Sequence, residues 1–81
     1  MAGIEDLTRP VIVGFGRRVR EMRRAAGLRQ VDLARHSRMT KRYIHEIEYG
    51  TSNPSLGTIA LLSVALKCDV ADFFPSTRSE S

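Results

Sequence analysis

Guanidinium groups dominate the chemistry open to this sequence. Its thirteen basic residues are eleven arginines and two lysines. The arginine fork donates paired hydrogen bonds that match phosphates and base edges. Eleven of the thirteen lie between residues 9 and 43, opposed there only by Glu21 and Asp32. The rest of the chain sets two basic residues against seven acids. Such a split presents either a basic face for a polyanion or a solvated surface rich in arginine, and charge alone leaves both open. Other chemistries find no constellation. His36, His45 and the single cysteine, Cys68, do not share a face at ligand spacing, so no metal is expected. Gly14 and Gly16 lack the third glycine and the preceding strand of a nucleotide loop. Nothing arranges serine, histidine and carboxylate into a catalytic centre, so no enzyme activity, cofactor or small-molecule ligand is expected. One cysteine forms no internal disulfide and suits a reducing cytoplasm. No apolar run approaches the ~20 residues of a membrane span, and residues 1–10 lack the pattern of a secretory signal.

These side chains must be positioned by a small fold. The chain has 81 residues and 9.1 kDa, 42% apolar and 27% charged, which fits one folded domain. The pattern is helical throughout, predicting an all-α protein. Ile12, Phe15, Val19 and Met22 place one apolar stripe on a first helix, ended by Gly27. A short segment, 30–36, follows with Val31, Leu33 and Ala34 as its apolar members and Asp32 in its first turn. Thr40 reads as the cap of the next helix, 41–49, with Met39 and Ile44 as a staple and Gly50 as its stop. Ile44 and Ile47 mark its inner side. Lys41, Arg42, His45 and Glu46 lie off that stripe, and Arg42 and Glu46 are four apart, so they can pair. Leu56, Ile59, Leu62 and Leu66 open a fourth helix. Asp69 can cap a last short one carrying Val70, Phe73 and Phe74, stopped by Pro75. The organisation read from this is an arm at 1–10, a domain at 11–74 and a polar tail at 75–81. Two short helices joined by about four residues have the spacing of a helix-turn-helix.

From Phe15 to Phe74 the sequence resembles the Cro/cI-like, or XRE, helix-turn-helix regulators. The residues that carry the likeness are Phe15 to Arg23, Gly27-Leu28-Arg29-Gln30, Leu33-Ala34, Tyr43 to Gly50, Asn53-Pro54-Ser55 and Leu62 to Leu66. Departures fall at Arg29, where a serine or threonine cap is usual, and at Arg38 and Lys67, where glycine is usual. The resemblance implies a compact five-helix, lambda-repressor-like fold that binds duplex DNA as a homodimer on a palindromic operator.

The resemblance also distributes roles. Base-edge contacts fall on Lys41, Arg42 and Glu46, whose groups suit guanine O6 and N7 or cytosine N4. Glu46 can instead orient Arg42. Backbone contacts fall on Arg29, Gln30, Arg38, Thr40, Tyr43, His45, Thr51 and Ser52. Arg23 and Glu48 are implied as an interior ion pair, and Cys68 as a core residue. The dimer contact is implied at residues 56–74, with Leu61, Val64, Val70 and Phe73 as its apolar members. A restriction–modification controller is one reading within the family, suggested by the Arg42-Tyr43-Ile44 start of the recognition helix. An antitoxin with a toxin partner is the competing class.

Overall fold

The apolar spacing of residues 12–22 resolves into a longer helix than the pattern marks. The computed structural model describes residues 3–74; the tail expected at 75–81 lies outside the described residues. Helix α1 spans Ile4–Ala25, α2 Gln30–Ser37, α3 Lys41–Glu48 and α4 Leu56–Leu66, followed by a single 3-10 turn, Val70–Phe73. No strand occurs among the described residues. The architecture is therefore all-helical, with a 3-10 turn where a fifth short helix was expected.

Residues 4–10, expected as an arm, are the opening turns of α1. Glu5 and Asp6 stand in the first turn, where carboxylates suit the helix dipole, and Asp6 Oδ2 accepts from the Gly3 N–H at 3.3 Å. Pro10 lacks an N–H for the carbonyl of Asp6, yet the helix continues through it. Ile4, Leu7 and Val11 form an exposed stripe there, away from the core.

All four α-helices close alike. Gly27, Arg38, Gly50 and Lys67 each take a left-handed conformation, with φ of 75°, 61°, 73° and 56°. The next N–H then bonds to the carbonyl five residues back: Leu28 to Arg23 (3.1 Å), Met39 to Ala34 (2.8 Å), Thr51 to Glu46 (3.0 Å) and Cys68 to Ser63 (3.0 Å). Arg38 and Lys67 thus stand where glycine carries no steric penalty, and each costs about 1 kcal/mol. Thr40 Oγ1 accepts from the Tyr43 N–H at 3.0 Å, as its cap reading predicts, and Ser55 Oγ does the same for Thr58 at 3.1 Å.

The core is Phe15 and Val19 of α1, Leu33 and Ala34 of α2, Ile44 and Ile47 of α3, Leu62 of α4, and Phe73. Phe73 is a correction: expected at the dimer contact, it is 1% exposed and meets the edge of Phe15 at 5.2 Å between ring centroids. The 3-10 turn rotates Phe73 inward and leaves Phe74 partly outside. Cys68 packs against the core, and that burial raises its thiol pKa. Gly16 lies where α1 crosses α3, and a Cβ there would overlap the carbonyl oxygen of Ile47.

Two substitutions check this frame by urea unfolding. Lys67→Gly should raise stability by about 0.5–1 kcal/mol through relief at the left-handed position. Gly16→Ala should lower it by about 1–3 kcal/mol, because backbone rather than a mobile side chain blocks the methyl. A neutral Gly16→Ala would contradict the close crossing of α1 and α3.

Candidate nucleic-acid interface

Helix α3 is divided lengthwise. Ile44, Ile47 and Glu48 are buried, whereas Lys41, Arg42 and His45 are exposed, as is Tyr49 just past its end. Tyr43 lies between, half-buried against the core. The Arg42 side chain is 88% exposed and its Nε donates to Glu46 Oε2 at 3.3 Å. A surface pair at this spacing contributes only about 0.3–0.5 kcal/mol, so its main effect is orientation. The carboxylate holds the guanidinium upright and leaves its other donors free.

A second feature of this face escaped sequence reasoning. The rings of His45 and Tyr49 lie 4.4 Å apart, and the Arg20 guanidinium sits 5.7 Å from the Tyr49 centroid. The available signal was the four-residue spacing of His45 and Tyr49. Arg20 on α1 thereby adjoins the end of α3 and extends its cationic face.

The start of α2 stands beside this surface. Arg29 occupies the cap position, but its side chain does not cap. Asp32 does the work instead: its Oδ2 accepts from the Arg29 N–H at 2.8 Å and from Nε at 2.9 Å, and Oδ1 accepts from Nη2 at 3.0 Å. The Arg29 guanidinium lowers the Asp32 pKa to about 2, so the carboxylate stays ionised through neutral pH. The charge of Arg29 is therefore largely balanced. Gln30 is half-buried and its Nε2 donates to Glu48 Oε1 at 3.1 Å, leaving its second amide hydrogen and its carbonyl oxygen free.

The remaining candidates divide. Arg38 is exposed at the turn between α2 and α3. The Thr40 hydroxyl oxygen caps α3, and its hydrogen remains free to donate. Thr51 is committed locally, with both its N–H and its hydroxyl donating to the Glu46 carbonyl. Ser52 is half-buried in the bend that follows.

Beneath these side chains lies the ion pair expected at Arg23 and Glu48. Arg23 Nε donates to Glu48 Oε2 at 2.6 Å and Nη2 to Oε1 at 3.0 Å, while Nη1 reaches the Leu28 carbonyl at 2.8 Å. With Gln30, the network joins the end of α1, the following turn, the start of α2 and the end of α3. Among the described residues no buried side-chain nitrogen or oxygen lacks a partner. Among the same residues no three His, Cys, Asp or Glu side chains cluster as a metal site, and no helix is long and apolar enough to cross a membrane.

Comparison with known proteins agrees with this geometry. The family described as a helix-turn-helix domain matches residues 15–73. The restriction-modification controller protein C.AhdI from Aeromonas hydrophila is similar at 38% identity and a TM-score of 0.78, over 80% of this chain and 98% of that one. The clp gene regulator ClgR from C. glutamicum is similar at 31% identity and a TM-score of 0.72, over 75% of this chain and 79% of that one. No curated protein sequence matches.

Removing one partner of the buried pair should be severe. Glu48→Ala or Arg23→Ala should each lower stability by about 3–5 kcal/mol in urea unfolding. Replacing both with apolar residues of similar size, Arg23→Met with Glu48→Leu, should recover much of that loss. Single variants as stable as the wild type would contradict the network.

Proposed function

The chain belongs to the Cro/cI-like (XRE) helix-turn-helix family of DNA-binding transcriptional regulators, and from that premise we propose that it binds a short, roughly palindromic operator as a homodimer in the cytoplasm. The observation that carries this reading is the exposed, cationic face of α3 held rigid by a buried ion pair. A helix of eight residues with one bare side fits a major groove. Lys41 and Arg42 would donate to guanine, and Glu46 would orient Arg42, which their contact supports, or accept from cytosine N4. Free backbone N–H groups at the start of α2, together with Gln30, suit a phosphate. Arg38, Thr40 and His45 would add backbone contacts. Arg29 and Thr51 are committed to their own neighbours, and Tyr43 and Ser52 are half-buried, so these four would contribute less.

The dimer reading rests on α4. Its sequence, Leu56–Leu66, contains no charged residue. Gly57, Ala60, Leu61 and Val64 are exposed at successive helical spacings, and Val64 is 74% exposed. An apolar stripe of this kind suits a symmetric contact with the same stripe of a second copy. Val70 is half-buried near its end. Such a dimer would set two copies of α3 about 34 Å apart, one turn of duplex. Similarity to C.AhdI over nearly its whole length favours the controller role within the family.

The test begins by selecting a duplex from a random pool with the full chain and measuring fluorescence anisotropy on it. Arg42→Ala should lose about 1–3 kcal/mol on the selected duplex and relax preference at one base pair per half-site. Gln30→Ala should weaken selected and random duplexes alike. Equal loss on both for Arg42→Ala would make it a phosphate contact. Failure to enrich any duplex would overturn the reading. Val64→Asp should lower the assembly's mass in sedimentation at micromolar concentration by removing the α4 contact; a wild type that is already monomeric would remove the dimer claim.

A further inference from the structure

Helix α1 begins eleven residues before the segment matched by the family. The helix-turn-helix does not account for this extension. Its residues from Ile4 to Val11 are all exposed. Ile4, Leu7 and Val11 are 78%, 68% and 59% exposed. With Gly14 and Arg18 they are spaced three, four, three and four apart, the seam of a two-helix coil. The seam leads into a groove lined by Val11, Gly14, Phe15 and Phe74, where the Phe74 ring stacks on Phe15 at 5.4 Å. Space above Gly14 is open: a Cβ there would meet nothing within 4 Å.

We propose that this seam docks against the same seam of a second copy of the chain, antiparallel, with Val11 near the two-fold axis. Two observations select that occupant. The seam is bulky at one end and hollow at the other, so antiparallel pairing seats Leu7 of one copy over the Gly14 notch of the other. Ile4 then lies along the aliphatic stem of Arg18, whose Nε is held by the Asp72 carbonyl at 2.9 Å. Charge follows the same symmetry. Asp6 and Arg17 stand on one flank of the seam, both exposed, and antiparallel pairing about Val11 sets each opposite the other across the copies. A parallel pairing would set that flank against the other flank of the partner, losing this match, and would leave the notch empty. The exposed extension, about three turns of α1, gains little from propensity alone, so burial of its stripe also favours its order. The contact uses none of the α4 residues assigned to the operator-binding dimer, so the two can be separated.

The experiment uses the full chain in a Cys68→Ser background. Val11→Cys places a thiol on the proposed axis, and Arg9→Cys places one on the opposite side of the same helix. Exposed to dissolved oxygen, the Val11→Cys protein should form an intermolecular disulfide at least tenfold faster than the Arg9→Cys protein. Adding Leu7→Asp should slow that linking several-fold. Adding Val64→Asp tests the α4 dimer without touching the seam, and linking at Val11 that persists there supports the seam even if the α4 contact fails. Equal, slow linking at both positions overturns the proposal whatever Val64→Asp does to DNA binding, and leaves the seam to a different partner.

Discussion

The buried pair of Arg23 and Glu48 is the joint on which the proposed DNA-reading surface depends. Three helices meet there, tied by two donors and one shared acceptor: α1 donates through Arg23, α2 donates through Gln30, and α3 accepts both through the Glu48 carboxylate. The third arm of Arg23 fixes the turn at Leu28. Burying such a pair in place of apolar residues brings little stability. Its contribution is directional. A guanidinium and a carboxylate in two-pronged contact tolerate little angular error, whereas isoleucine side chains can slide past one another. The orientation of α3 relative to α1 and α2 is thereby pinned at its C-terminal end, while Ile44 and Ile47 hold it down along its length.

Helices of eight residues are too short to persist on propensity alone. Here they are bounded by defined starts and stops rather than by length. Thr40 opens α3, and Gly50 closes it in the conformation shared by all four helix ends. Two of those ends are basic residues in place of glycine. At Arg38 the strain places a positive charge in the turn beside the reading helix. That trade is intelligible for a protein that must approach phosphates. Lys67 closes α4, outside the helix-turn-helix, and has no comparable return.

Much of this was legible in the sequence because it rests on local signals. Thr40, Gly27 and Gly50 each announce a helix boundary through their own conformational chemistry. Ile44 and Ile47 reveal the buried side of α3, and so the exposed one. The inner ion pair and the left-handed positions at Arg38 and Lys67 required the resemblance, since nothing local marks an arginine as buried or strained. Three features were hidden for physical reasons. A stripe that leaves the core, as at Ile4, Leu7 and Val11, carries no signal for the domain's own packing, so the helix start was placed too late. A one-turn element has no usable period, so Phe73 and Phe74 could not be told apart as inward and outward. Tertiary partners at long separation, such as Arg20 with Tyr49, leave no trace in spacing.

The central claim is that the basic half of the chain faces DNA phosphates through α3, the start of α2 and the neighbouring part of α1. Its most direct test is the salt dependence of binding to the selected duplex, followed by anisotropy across a salt series. About three to five neutralised phosphates per subunit would give log K falling with log salt at a slope of about −5 to −9 for a dimer. A slope shallower than about −2 would show that these arginines face water, and would contradict the account.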